Sequence, residues 1–113
     1  MNVNYYVLLV FAPLLILTGI AGFAIPKDRS LRSGARAYNI FHLVLGGLGL
    51  AAVLSRDPAF IRWFNIGFGF IDIYQAAASA AHFFPEKYFE WKRADDVLHV
   101  VIGIALASVG LFA

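Results

Sequence analysis

Four apolar runs of close to membrane length are the strongest constraint on how this chain can fold. Met1 to Pro26 holds no charged residue, and Ala37 to Ser55 lies between Arg36 and Arg56. Trp63 to Pro85 carries a single acid, Asp72, and Val97 runs on to Ala113. A helix rises about 1.5 Å per residue, so crossing about 30 Å of hydrocarbon takes roughly 20 apolar residues. The expected spans cover about 4–25, 37–55, 61–84 and 95–112. Composition agrees: 61% of the residues are hydrophobic and 14% charged, against about 25% charged in an ordinary water-facing domain. The first run is expected to be retained, because it lacks the basic segment of a secretory leader and is longer than such leaders need.

The runs are joined by connections of about twelve, seven and ten residues. Connections this short predict an all-α, membrane-embedded, antiparallel four-helix bundle in a single transmembrane domain. Pro13 is expected to kink the first helix, while Pro26, Pro58 and Pro85 fall at helix ends. Tyr5, Tyr6 and Trp63 toward one end, and Phe83, Phe84, Tyr88, Phe89 and Trp91 toward the other, suit interfacial aromatic belts. Loop one carries Lys27, Arg29, Arg32 and Arg36, and loop three carries Lys87, Lys92 and Arg93, against only Arg56 and Arg62 in loop two. The positive-inside rule therefore puts loops one and three in the cytoplasm and both termini outside.

The halves of the chain also resemble each other. Phe23-Ala24-Ile25-Pro26 aligns with His82-Phe83-Phe84-Pro85, and Asn39-Ile-Phe-His42-Leu-Val-Leu-Gly46 aligns with Asp96-Val-Leu-His99-Val-Val-Ile-Gly103. Two copies of one hairpin in the same orientation would place His42 and His99 at equivalent depths, as parallel repeats do in transporters. Gly19-Ile-Ala-Gly22-Phe23, Asn39-x-x-His42-Leu-x-x-Gly46-x-Leu48-Gly49-Leu50 and Ala94-Asp95-x-x-Leu98-His99-x-x-x-Gly103 give the chain its family likeness. It resembles the bacterial four-helix membrane family known as domain of unknown function 4383 over nearly its whole length. That resemblance implies the fold and a place in the plasma or intracytoplasmic membrane. It implies no particular activity.

The polar residues inside the spans are the candidate site. Asn39 and Asp96 suit N-caps, with His42 and His99 reaching back in the first turn as in a capping box. Alternatively the two imidazoles ligate a haem, a chlorophyll magnesium or another metal. His82 ends the third span on the same side, where snorkelling or a helix-dipole contact is expected, since no H-x-x-x-H or H-x-H spacing supports a metal shell. Asn65, Asp72, Gln75, Ser79 and His82 share one helical face, which must point inward. A carboxyl in mid-span must be neutral, paired or in contact with water. Asp72, Gln75, Ser79 and His82 therefore read either as a proton relay or as a hydrogen-bonded seam.

Gly46, Gly47, Gly49, Gly103, Ala107, Ala77 and Ala81 read as close-packing positions. Gly67-Phe68-Gly69 follows no strand and so is not a phosphate loop. Absence of cysteine excludes disulfides, thiolate metal sites and cysteine nucleophiles. No nucleophile is paired with a base, and the few basic residues lie at the lipid surface, so neither enzyme chemistry nor nucleic-acid binding is expected. The partners expected are the lipid bilayer and other membrane-protein subunits. The expected function is a non-catalytic accessory or scaffold subunit of a larger respiratory or photosynthetic complex. Its rival is a cofactor-binding or proton-relaying protein centred on His42, His99 and the Asp72 face.

Overall fold

The apolar runs are helices in the structure, a computed structural model that describes residues 2–26, 28, 29 and 33–113. Lys27 and Arg32, two of the loop-one cations, lie outside the described residues. The elements in order are α1 (Val3–Ala24), α2 (Arg36–Ser55), α3 (Pro58–Ala81), the short α4 (Glu86–Phe89) and α5 (Arg93–Phe112), with no strand among the described residues. Three helices, α1, α2 and α5, are long and apolar enough to cross a membrane. The longest, α3, has 24 residues, but Asn65, Asp72 and Gln75 make it less apolar.

Several helix starts lie earlier than the hydropathy pattern predicts. Loop two shrinks to Arg56 and Asp57, because the Asp57 side chain accepts a hydrogen bond from the Ala59 amide at 3.0 Å and Pro58 opens the helix at a position that needs no amide donor. Arg56 closes α2 in the left-handed region, at φ 55°. Asn39 and Asp96 are not N-caps, since α2 starts after Ala35 and α5 after Lys92. Both fall inside the helix, and the reach-back to the N-cap amide expected of His99 is made by Asp95, which accepts from the Lys92 amide at 2.8 Å. Helix α1 runs unbroken through Pro13.

Packing is tightest within each hairpin, where α3 meets α5 and α1 meets α2. Glycines set these contacts. Gly19 lies against Leu43, Gly46 against Leu15 and Ile16, and Gly49 against Ala12 and Leu8, so α1 and α2 run antiparallel. Gly69 meets Gly103 and Ala107, and Gly110 meets Ile66, so α3 and α5 do too. Gly46 and Gly103 thus hold the close approach in their respective hairpins. Gly47 touches nothing, and Ala77 and Ala81 are exposed, so these three expected packing positions are not in the seams.

The outer faces are apolar. Val10, Leu17, Val44, Leu54, Phe70 and Val101 are each more than half exposed, while Leu8, Ala12, Ile61, Phe64, Phe68 and Leu106 form the core. Two polar ties join the hairpins at opposite ends. At the loop-two end the Asn65 amide donates to the Asn4 carbonyl and to its side-chain oxygen, both at 3.1 Å. At the other end the Ser33 amide donates to Asp95 at 2.6 Å, which brings loops one and three together.

The glycine seam makes a contrast testable within one helix. A Cβ at Gly69 would lie 2.5 Å from the Ala107 backbone nitrogen, whereas one at Gly67 would meet nothing. Gly69→Ala is expected to destabilise the protein by about 1–3 kcal/mol, the usual penalty of overpacking, and Gly67→Ala to leave it equal or up to about 1 kcal/mol more stable. Thermal unfolding in mild detergent separates the two.

Candidate functional site

Helical periodicity places the site residues in pairs. Tyr38 and His42 are four apart on α2, Asp95 and His99 are four apart on α5, and such pairs share a face one turn apart. Each histidine is the seventh residue of its helix, counted from Arg36 and Arg93, so the two enter the fold at matched depth. Because both helices start early, the histidines sit about 10 Å in from the helix start rather than in the first turn. Helix α3 adds Asp72, and α1 adds Thr18. All six side chains line one cavity of about 220 Å³, together with Phe11, Leu14, Leu15, Phe68, Leu98 and Ile102.

Within it, the Tyr38 hydroxyl and His99 Nε2 are 2.6 Å apart. The Tyr38 ring lies 4.2 Å from the His42 ring and 5.8 Å from that of His99, between centroids, so it links the two imidazoles. His99 Nδ1 is buried without a partner among the described residues. Asp72, 3% exposed, accepts one hydrogen bond among the described residues, from the Gln75 amide at 3.2 Å. Gln75 in turn accepts from the Trp91 indole at 3.1 Å, and the Trp91 ring packs edge-on to His99 at 6.3 Å.

The loops close the cavity's outer end through Asp95. Wholly buried, it accepts from the Ser33 and Lys92 amides, while the Ser33 hydroxyl donates to the Phe89 carbonyl and accepts from the Ala35 amide. Phe89 packs against Tyr38, Phe41 and Trp91. A carboxylate that collects backbone amides from two loops is a strong tie, since hydrogen bonds to charged groups contribute about 1.5–3 kcal/mol each.

Asp72, His42 and His99 therefore come together as neighbours of one cavity. The path from Asp72 through Gln75 goes to Trp91, and among the described residues no hydrogen bond carries it to Ser79 or His82. Ser79 is half-buried. His82 caps α3 in the left-handed region, its side chain is 78% exposed, and its Nδ1 lies 2.8 Å from the Glu86 carboxylate. Tyr38, Asp95, Thr18 and Trp91 were not singled out by the hydropathy reading. The four-residue spacing of Tyr38 to His42 and of Asp95 to His99 is the signal that marks the first two. Tyr74 faces outward and donates to the Phe84 carbonyl at 2.6 Å.

This donor set does not fit an axial pair for haem or chlorophyll. The Tyr38 hydroxyl already engages His99 Nε2, and about 220 Å³ falls below the roughly 300–1,000 Å³ of ordinary ligand sites, far short of a tetrapyrrole. Among the described residues no three histidine or acidic side chains are grouped closely enough to hold a metal ion. What the cavity offers is hydrogen bonding and proton exchange from tyrosine, imidazole and carboxyl groups in an apolar setting.

The Asp95 tie can be tested without a ligand. Asp95→Ala is expected to cost about 2–4 kcal/mol and to expose the loop-one backbone, while Asp95→Asn retains an acceptor oxygen and loses less. Thermal unfolding and amide exchange at Ser33 and Ala35 read the two effects. No family model, curated protein or solved structure matches this chain.

Proposed function

We propose that the chain is an integral membrane protein with four crossings, and that its activity resides in the cavity at the loop-one and loop-three end. There Tyr38, His42, Asp72 and His99 bind, and exchange protons with, a molecule that arrives from within the bilayer. The observation that carries this reading is the convergence of all four long helices, each with a polar side chain, on one cavity between apolar outer faces. Ionisable groups at such depth are costly, and in membrane helices they mark functional sites by default. Among the described residues Asp72 accepts a single hydrogen bond, from Gln75, too little for a residue whose purpose is to brace the fold.

The fourth crossing is α3. Its length, about 36 Å at 1.5 Å per residue, matches the bilayer, and Asn65, Asp72 and Gln75 on it are buried while Trp63 and Phe70 face outward. The motif resemblance to the four-helix family of unknown function points the same way and supplies no activity. The basic loops one and three favour the cytoplasmic side of a bacterial plasma or intracytoplasmic membrane. The accessory-subunit reading draws on no particular feature of the fold, because exposed apolar faces of this kind are what lipid alone requires.

Single cysteines at Ala59 and Lys87 are expected to react with an impermeant maleimide from opposite sides of sealed membranes. Labelling from one side would remove α3 as a crossing. For the site itself, Asp72→Leu is expected to raise the thermal midpoint in detergent, as loss of a functional group kept at the expense of stability does. A fall equivalent to about 1–3 kcal/mol would make Asp72 a structural strut and overturn the site reading.

A further inference from the structure

The cavity does not end at its polar residues. Phe11, Leu14 and Ile102 also line a second, larger and more open groove of about 460 Å³ that runs between α1 and α5 past Val10, Val101 and Leu106. Helices α1 and α5 pack far more sparsely on each other than either does within its own hairpin. The residues at the junction, Leu14 at 50% and Leu98 at 41% exposure, face outward, so this seam opens sideways to where lipid chains would lie. The whole space is therefore a small chamber with polar groups set in a mostly apolar wall, adjoining an open apolar groove. That is the shape of an amphipathic molecule.

The chamber selects the head. Among the described residues its wall holds no lysine or arginine, so a phosphate or carboxylate head group would find no cationic partner there. At about 220 Å³ it exceeds the roughly 150 Å³ that holds a benzene ring, and it has room for a single substituted ring but not for a fused macrocycle. Its walls pair flat aromatic surface, from Phe11, Tyr38 and Phe68, with groups that donate or accept on several helices: Thr18, His42, Asp72 and His99, whose Nε2 is engaged by Tyr38 but whose Nδ1 has no partner among the described residues. A ring with oxygens at opposite edges uses both kinds of wall, stacking on the aromatics and hydrogen-bonding across. Resting on the site reading above, we propose that the ligand is a lipid-soluble, single-ring para-quinone or its hydroquinone, entering between α1 and α5 with its tail left in that groove.

Trp91 provides the measurement, since it is bonded to Gln75 and lies 6.3 Å from the His99 ring, while the other tryptophan, Trp63, is 66% exposed on the outer face. Quinones quench indole fluorescence. Trp63→Phe protein in phosphatidylcholine nanodiscs is titrated with a benzoquinone bearing a decyl chain, and Trp91→Phe protein serves as the bulk-lipid reference. Quenching of Trp91 is expected to saturate at one quinone per protein, and that of Trp63 to rise without saturation. His99→Gln is expected to weaken the saturable phase by about tenfold, the effect of one good hydrogen bond. Leu14→Phe, at a half-exposed position where folding is not at stake, narrows the mouth and is expected to weaken or slow it as well. Non-saturating quenching of both tryptophans, or saturable quenching that ignores both substitutions, overturns the proposal. So does displacement of bound quinone by equimolar decylamine, which would assign the chamber to a cationic head paired with its acids. These outcomes concern the ligand alone, whereas the stability of Asp72→Leu judges the site separately.

Discussion

A polar side chain on a helix dressed for hydrocarbon has nowhere outside to find a hydrogen bond, and this constraint organises the whole molecule. In water, Asn4, Asn65, Asp72, Gln75 and Asp95 could each be solvated where they stand. Against an apolar surround an unpartnered amide or hydroxyl costs several kcal/mol, and a charge more. All five are therefore at most 3% exposed and turned toward other helices, while valine, leucine and phenylalanine cover the outside. The helices are oriented by where their polar residues must go.

Given that orientation, the glycines decide how closely the helices approach. Gly19, Gly46 and Gly49 draw α1 and α2 together, and Gly69, Gly103 and Gly110 do the same for α3 and α5. Between the hairpins larger side chains meet, with Phe68 of α3 against Phe11 of α1 at 5.5 Å and Phe41 of α2 at 6.1 Å between centroids. Two tight pairs joined by a bulkier seam cannot pack evenly along their length. The space left over is the chamber at the level of the histidines and the groove between α1 and α5. Cavity and lateral mouth follow from the same unequal distribution of small residues.

The two ends of the molecule are tied by different means. At the loop-two end Asn65 bonds to Asn4, and Arg62 donates to the Gly110 carbonyl at 2.8 Å, satisfying a helix-end acceptor. At the loop-one and loop-three end a buried carboxylate gathers amides from two loops, and the aromatic group of Tyr38, Phe41, Phe89 and Trp91 seals the space below it. The ionisable groups of the chamber thus lie behind a hydrogen-bonded, aromatic cap on the loop side. The sparsely packed seam between α1 and α5 is the thinner wall of the chamber.

Apolar run lengths and charge placement determined, from the sequence alone, that the chain is helical and that α1, α2 and α5 are fit to cross a membrane, because hydropathy is a property of the local chain. Periodicity was enough to put Asp72 and Gln75 on an inward face, since residues three apart on a helix cannot look in different directions. Helix starts escaped that reading where capping chemistry outweighed hydropathy, as at Asp57-Pro58 and Asp95. The grouping of Tyr38 and His42 with His99 and Asp95, the diversion of the Asp72 path to Trp91, and the exclusion of His82 were decided only by the tertiary structure. Each depends on residues between 16 and 61 positions apart, or on a left-handed cap that ends a face. Side-chain period says which way a residue points along its own helix; what it meets there depends on how near glycine lets the next helix come.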